Sequence, residues 1–182
     1  RLHKLRSKVD AILVGKNTVI KDNPLLTVRF SKGKNPVRVV LDSQGKISEK
    51  SKILQTSNKV PTIIAVSKKI SPQNLKNFKK FPVDIIFSGK TIINIKSLIK
   101  ELEKRGIQTI LVEGGGTINW QFIKDNLFNE IFLTISPFVI GGVNAISLVQ
   151  GKGFKKITNS PKLKLNSVKR LGNHLVLHYV KV

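Results

Sequence analysis

The chain has no cysteine and no methionine, one tryptophan, one tyrosine and three histidines among its 182 residues. Without cysteine there is neither a disulfide framework nor a thiolate metal site. The histidines, His3, His174 and His178, show no pair with the spacing and neighbouring carboxylates of a metal centre, so no metal is expected. His174 and His178 stand four apart on one face of a strand-like stretch, where a packed or solvent-facing role is the ordinary one. No apolar run approaches the roughly 20 residues that cross a bilayer, and no signal peptide opens the chain. The expectation is a cytoplasmic protein without a membrane partner. The first residue is Arg1 and methionine is absent, which reads as a missing start with an amino-terminal strand in it.

Acid is scarce as well: ten Asp and Glu stand against 33 Lys and Arg, a net charge of +23. Three explanations compete: nucleic acid, whose phosphates a basic surface binds by counterion release; a phosphorylated small substrate and cofactor; or drift of the whole surface toward lysine. The lysines are scattered, with only pairs such as Lys68-Lys69, Lys79-Lys80 and Lys155-Lys156. Aromatics make up 6% and no basic run is interleaved with them to stack bases. Drift with some steering of phosphates is favoured, and no nucleic-acid partner is expected.

What is present is a soluble composition, 40% hydrophobic with a mean hydropathy of −0.03. Its length fits one domain, residues 1–182, with a core burying roughly 70% of the unfolded chain's surface. The organising stretch is TILVEGGGT at 109–117. Thr109 to Val112 read as a buried, central strand, and Gly114, Gly115 and Gly116 then let the backbone bend and approach a ligand closely. Thr117 is expected to cap the following helix. Strand, glycine turn and helix make a phosphate cradle; the same sequence also turns any α/β corner. Glu113 favours a ligand site, because a carboxylate beside an anion cradle is useful when it holds another group's donors.

Along the chain, residues 1–8 read as a helix end and Asp10 to Val14 as a buried strand. Lys16 to Pro24 form a short helical turn stopped by Asn-Pro, with Thr18 and Asp22 on one face. Leu25 to Phe30 alternate weakly, and Val37 to Leu41 form a strand closed by the turn at Asp42 to Gly45. A polar loop covers Ser48 to Lys52. Thr62 to Val66 and Val83 to Phe87 are strands, with helices from Ser71-Pro72 to Lys80 and from Asn94 to Arg105. Glu130 to Pro137 is a strand, 143–156 a loop, and Leu163 to Leu171 with His174 to Val182 a hairpin turned at Gly172-Asn173. Alternating strands and helices predict an α/β fold with a mostly parallel central sheet flanked by helices and a C-terminal antiparallel hairpin. Ligands collect outside the carboxyl ends of such strands, a rim holding Gly15, Ser43, Ser67, Ser88 and 113–116.

Three pieces taken together, LRSKVDAILVGKNTVIKDNPLLTVR at 5–29, PVRVVLDSQGKI at 36–47 and TILVEGGGTINWQFI followed by SPFVIGG, resemble the pyrimidine reductases of riboflavin biosynthesis. The resemblance runs over essentially the whole chain and implies a dihydrofolate-reductase-like fold. It also implies NADPH-dependent reduction of the ribosyl group of a ribosylaminopyrimidine 5′-phosphate to a ribityl chain, and a homodimer.

By that resemblance Thr18 and Asp22 match nicotinamide-nucleotide contacts, Ser43 a further cofactor contact, and Gly114, Gly115, Gly116 and Thr117 the loop at the cofactor's phosphates. Arg6, Leu26 and Arg29 match positions holding the phosphorylated sugar and pyrimidine, and Glu113 the acid anchoring the base. Asp22, Glu113 or a water supplies the proton, with Asp22 favoured near the reacting carbon. Asn23 stands where many members have a second aspartate, and nothing matches the family's first strand. The 2,5-diamino-pyrimidinone is the favoured substrate and the 5-amino-uracil the alternative; a dihydrofolate or pterin reductase and a basic nucleic-acid module are the rival readings. No deaminase domain, common in bacterial members, is present in this sequence.

Overall fold

The computed structural model describes residues 2–143 and 145–182. Arg1 and Asn144, which the expected terminal helix and the 143–156 loop include, lie outside the described residues. The chain divides into two compact units, residues 1–115 and 116–182.

The first unit alternates strand and helix: α1 (Leu2–Arg6), β1 (Ala11–Gly15), α2 (Lys16–Asp22), β2 (Val37–Leu41), α3 (Lys52–Gln55), β3 (Thr62–Val66), α4 (Pro72–Phe78), β4 (Asp84–Phe87), α5 (Ile95–Lys104) and β5 (Ile110–Val112). All five strands are parallel, in the order β4-β3-β2-β1-β5. Parallel neighbours need crossover connections, and helical crossovers cover the sheet's faces. Every residue of β1 and β3 is accordingly buried. Ile12, Val14, Val40, Ile64 and Val66 pack with Ile53, Leu54 and Phe78 in one apolar cluster. Helix α5 starts at Asn94, whose side chain accepts from the Ser97 N–H, and is followed by Gly106 at φ +80°.

Two expectations change. Among the described residues β5 is an edge strand, bonded to β1 alone, and its three residues are half-buried where a buried central strand is expected. The apolar run signals burial without saying how many neighbours supply it. The stretch after Ser48 is not all loop, because Lys52–Gln55 form one helical turn, too short for periodicity to show.

The second unit holds α6 (Gly116–Lys124), β6 (Glu130–Ile135), a 3-10 turn at Ile157–Asn159, β7 (Leu163–Leu171) and β8 (His174–Lys181). β7 and β8 form the expected hairpin around Gly172, at φ +59°. With β6 they make a separate three-stranded antiparallel sheet in the order β6-β8-β7. Among the described residues no helix is long and apolar enough to cross a membrane.

Candidate functional site

The parallel ladder carries β5 directly into the glycines. The Glu113 N–H donates to Leu13 O at 3.0 Å, and the Gly15 N–H donates to Gly114 O at 2.9 Å. The carboxyl ends of β1 and β5 are thereby tied at one rim. Gly114 is buried at φ +90°, a conformation that suits glycine alone, and its peptide to Gly115 is cis. A Cβ built on Gly115 would meet only Thr18 Oγ1, at 3.8 Å, among the described residues. The structure thus brings Thr18 and Gly115 together from positions 97 apart in sequence. A backbone open to approach beside a hydroxyl, at the carboxyl end of a parallel strand, fits the phosphate-bearing part of a nucleotide cofactor.

Gly116 and Thr117 open α6. Thr117 is therefore the second residue of the helix and does not cap it; the helix starts two residues earlier than a cap at Thr117 would place it.

Arg6 and Glu113 form one ion pair. Arg6 Nε donates to Glu113 Oε1 at 2.8 Å and Nη2 to Oε2 at 2.7 Å, while Nη1 donates to the Thr27 carbonyl at 3.0 Å. The arginine is only 7% exposed, and a two-pronged fork is the geometry that compensates burying both charges. Both carboxylate oxygens keep lone-pair directions for other donors, and two of the five guanidinium N–H groups remain unused.

Asp22, the last residue of α2, is exposed, and its side chain makes no hydrogen bond or ion pair among the described residues. Asn23 follows at φ 40°, donating its N–H to Val19 O and accepting from the Lys52 N–H at 2.8 Å through Oδ1. An amide tolerates that left-handed cap, which gives Asn23 a structural task. Leu26, at φ 51°, is buried, and Arg29 is exposed with its guanidinium 5.6 Å from the Phe30 ring centre.

Ser43 is held among the turns that end β2, β3 and β4. Its Oγ accepts from the Ile93 N–H at 3.3 Å, and its carbonyl accepts from the Ser67 hydroxyl at 2.7 Å. The neighbouring Asp42 is fully buried, with Oδ2 accepting from the Ile47 N–H at 2.8 Å. A cavity of about 290 Å³ beside Val19, Ile20, Asn23 and Lys46 flanks a different side of α2 from the Thr18–Asp22 face.

Arg38 went unnoticed in the sequence, where VRVVL reads simply as a strand. Its side chain is fully buried with no carboxylate partner among the described residues, and burial pushes its guanidinium down to about 10. It donates to Thr62 Oγ1, Thr56 Oγ1 and the carbonyls of Leu25, Ile53 and Val60. Serving every N–H is what makes an unpaired buried cation tolerable. A charged residue inside an otherwise apolar strand was the available signal.

The family RibD C-terminal domain is matched over residues 1–177. A 2,5-diamino-6-ribosylamino-4(3H)-pyrimidinone 5′-phosphate reductase of Aquifex aeolicus is 40% identical over 178 residues, which cover 98% of this chain and 79% of the relative. One of the same description from Methanothermobacter thermautotrophicus is 34% identical, covering 98% and 83%. Among solved structures, a diaminohydroxyphosphoribosylaminopyrimidine deaminase/5-amino-6-(5-phosphoribosylamino)uracil reductase of Thermotoga maritima superposes with a TM-score of 0.77 at 26% identity. It covers all of this chain and 48% of that one.

Proposed function

The chain belongs to the RibD C-terminal domain family, and on that premise we propose that it is an NADPH-dependent reductase of riboflavin biosynthesis. Its reaction is reduction of the ribosyl group of 2,5-diamino-6-ribosylamino-4(3H)-pyrimidinone 5′-phosphate to a ribityl chain. The observation that carries this reading is that relatives named for that reductase match 98% of the chain at 40% and 34% identity. The family match spans both compact units, which supports treating residues 1–182 as one reductase domain.

The geometry supports particular roles. Glu113, oriented by the Arg6 fork, has acceptor directions for an aminopyrimidine's N–H donors. The remaining Arg6 donors and the exposed Arg29 suit the substrate's phosphate, since a guanidinium grips phosphate in a planar fork. Leu26 borders the same loop as an apolar contact. Thr18, Ser43 and the open backbone of Gly115 hold the cofactor, and Gly114, Gly116 and Thr117 complete that set by their place in the sequence. NADPH supplies the hydride for the sugar's anomeric carbon. Orientation and exclusion of water are then the protein's main tasks. Asp22 is the side chain placed to relay a proton to the developing amine or departing ring oxygen, because among the described residues its carboxyl group has no protein partner to give up; Glu113, already engaged by Arg6, serves chiefly as an anchor.

The net charge of +23 favours encounter with phosphorylated ligands. We assign the protein to the cytoplasm, as a homodimer. The apolar exposure of Phe138, Val139, Ile140, Val143 and Ile146 in the second unit supports a self-association surface.

The test is NADPH absorbance on adding each of the two pyrimidine phosphates. Oxidation with the 2,5-diamino compound is expected. Oxidation with the 5-amino-uracil alone would transfer the assignment to the second reading, which the Thermotoga maritima likeness favours; oxidation with neither rejects both.

A further inference from the structure

The loop between α2 and β2, which carries Leu26 and Arg29, is built without a backbone ladder. Among the described residues, none of residues 24–36 makes a backbone-to-backbone hydrogen bond. Side chains hold it instead. Arg38 Nη1 donates to Leu25 O at 3.2 Å and Arg6 Nη1 to Thr27 O at 3.0 Å, while Asn35 Oδ1 accepts from the Val28 N–H at 2.8 Å. The fourth contact reaches Arg29 itself: its N–H donates to His3 Nδ1 at 3.0 Å. The His3 ring also meets Phe30 edge-on, with centroids 4.8 Å apart and planes at 88°. His3 and Arg6 stand three apart in α1 and therefore reach the loop from neighbouring positions of one helix face.

We propose that His3 is a positioning residue for Arg29. It fixes the backbone N–H of Arg29 and, through the Phe30 ring on which the Arg29 guanidinium lies, the direction in which that guanidinium meets the substrate's phosphate. Direction matters because a guanidinium binds phosphate through a planar fork; a loop free to rotate loses that match while the charge remains. The inference rests on the reading of Arg29 as a phosphate contact. Accepting through Nδ1 places the ring proton on Nε2, so the interaction needs the neutral imidazole.

The experiment compares the wild type with His3→Ala, His3→Phe and His3→Asn in the NADPH oxidation assay. Phenylalanine keeps a ring against Phe30 without an acceptor, and the asparagine carbonyl can take the place of Nδ1. His3→Ala and His3→Phe should raise KM for the pyrimidine phosphate about tenfold, the worth of one well-placed hydrogen bond, and weaken inhibition by inorganic phosphate in parallel. Their kcat and NADPH Kd should stay within about twofold of wild type, and His3→Asn should restore most of KM. If the wild type turns over while KM is unchanged in both variants lacking the acceptor, or kcat falls instead, the positioning role is wrong and the functional reading stands. Failure of His3→Asn to restore KM likewise overturns it. If the wild type oxidises NADPH with neither pyrimidine, the functional reading and this inference fall together. Should His3→Ala not fold, His3→Phe against His3→Asn decides the matter.

Discussion

The two compact units bury their apolar residues very differently. Residues 2–115 hide whole strands, with β1 and β3 buried at every position, and also bury helical residues such as Leu98 and Phe78. Among the described residues of 116–182 only Phe122 and Val176 are buried apolar side chains, while β7 is exposed at every position but Ser167. The difference follows from strand direction. A parallel ladder obliges the chain to cross over between strands and brings helices to cover the sheet, whereas an antiparallel sheet closes with turns and gains no cover from them. The first unit therefore covers most of its own apolar surface; the second has apolar surface in excess of what it covers by itself.

The sharpest way to break this contrast is Arg38→Met in the first unit. It strands the carbonyls of Leu25, Ile53 and Val60 that Arg38 now serves, and should cost about 3–5 kcal/mol in denaturant unfolding. A loss below about 1 kcal/mol would mean that the first unit is far more adaptable than its buried strands imply.

Next in size is Asp22→Asn, which tests whether the first unit's rim performs the proton chemistry. A drop of about a hundredfold in kcat is expected, with NADPH binding little changed; an unchanged kcat would remove Asp22 from the mechanism.

A smaller effect should appear in acid. Asp10 joins the starts of β1 and β5, and its carboxyl sits below the ordinary range because the Thr109 hydroxyl, the Thr109 N–H and the Gln108 N–H all donate to it. A carboxyl lowered on folding contributes stability that is complete above its unfolded value, about 4, and disappears as pH falls through the folded one. Wild-type Tm should thus exceed that of Asp10→Asn near neutrality, and the gap should close on acidification to about pH 2. A gap independent of pH would locate the contribution elsewhere.

The smallest effect on folding is expected in the second unit. Val139→Ser with Ile140→Ser, at residues fully or nearly fully exposed, should change unfolding free energy by no more than about 0.5 kcal/mol. The same pair should shift the protein from dimer to monomer in light scattering; a wild type that is already monomeric would sharpen the contrast by showing that this apolar surface is not used for self-association.

Much of the fold was legible because its signals are local. Apolar β-branched runs marked β1, β2 and β3, Ser71-Pro72 and Asn94 marked helix starts, and Gly172-Asn173 marked the hairpin. The one-turn helix at Lys52–Gln55 was not legible, since four residues hold no period. Nor was the edge position of β5, because a strand's sequence records its own hydrophobicity and not its number of neighbours.

The site divides the same way. The EGGGT stretch, Thr18 and Asp22 were visible as residues whose chemistry suits a rim, and the family was visible in motifs spread over the chain. Pairwise facts were not: Glu113 meets Arg6 across 107 positions, Arg38 satisfies carbonyls on three segments, and His3 holds the Arg29 N–H.

By itself the sequence determined most of the strands and longer helices, that this chain has no thiolate to offer a metal, and where three consecutive glycines follow a strand. Those properties reside in single residues and short periods. Only the tertiary structure decided that Arg6 and Glu113 form an ion pair, that a buried arginine bonds the loop between α2 and β2, and that Thr18 faces Gly115. Such contacts join residues far apart in the chain, and their distances exist only once the parallel ladder has brought the strand ends to one rim.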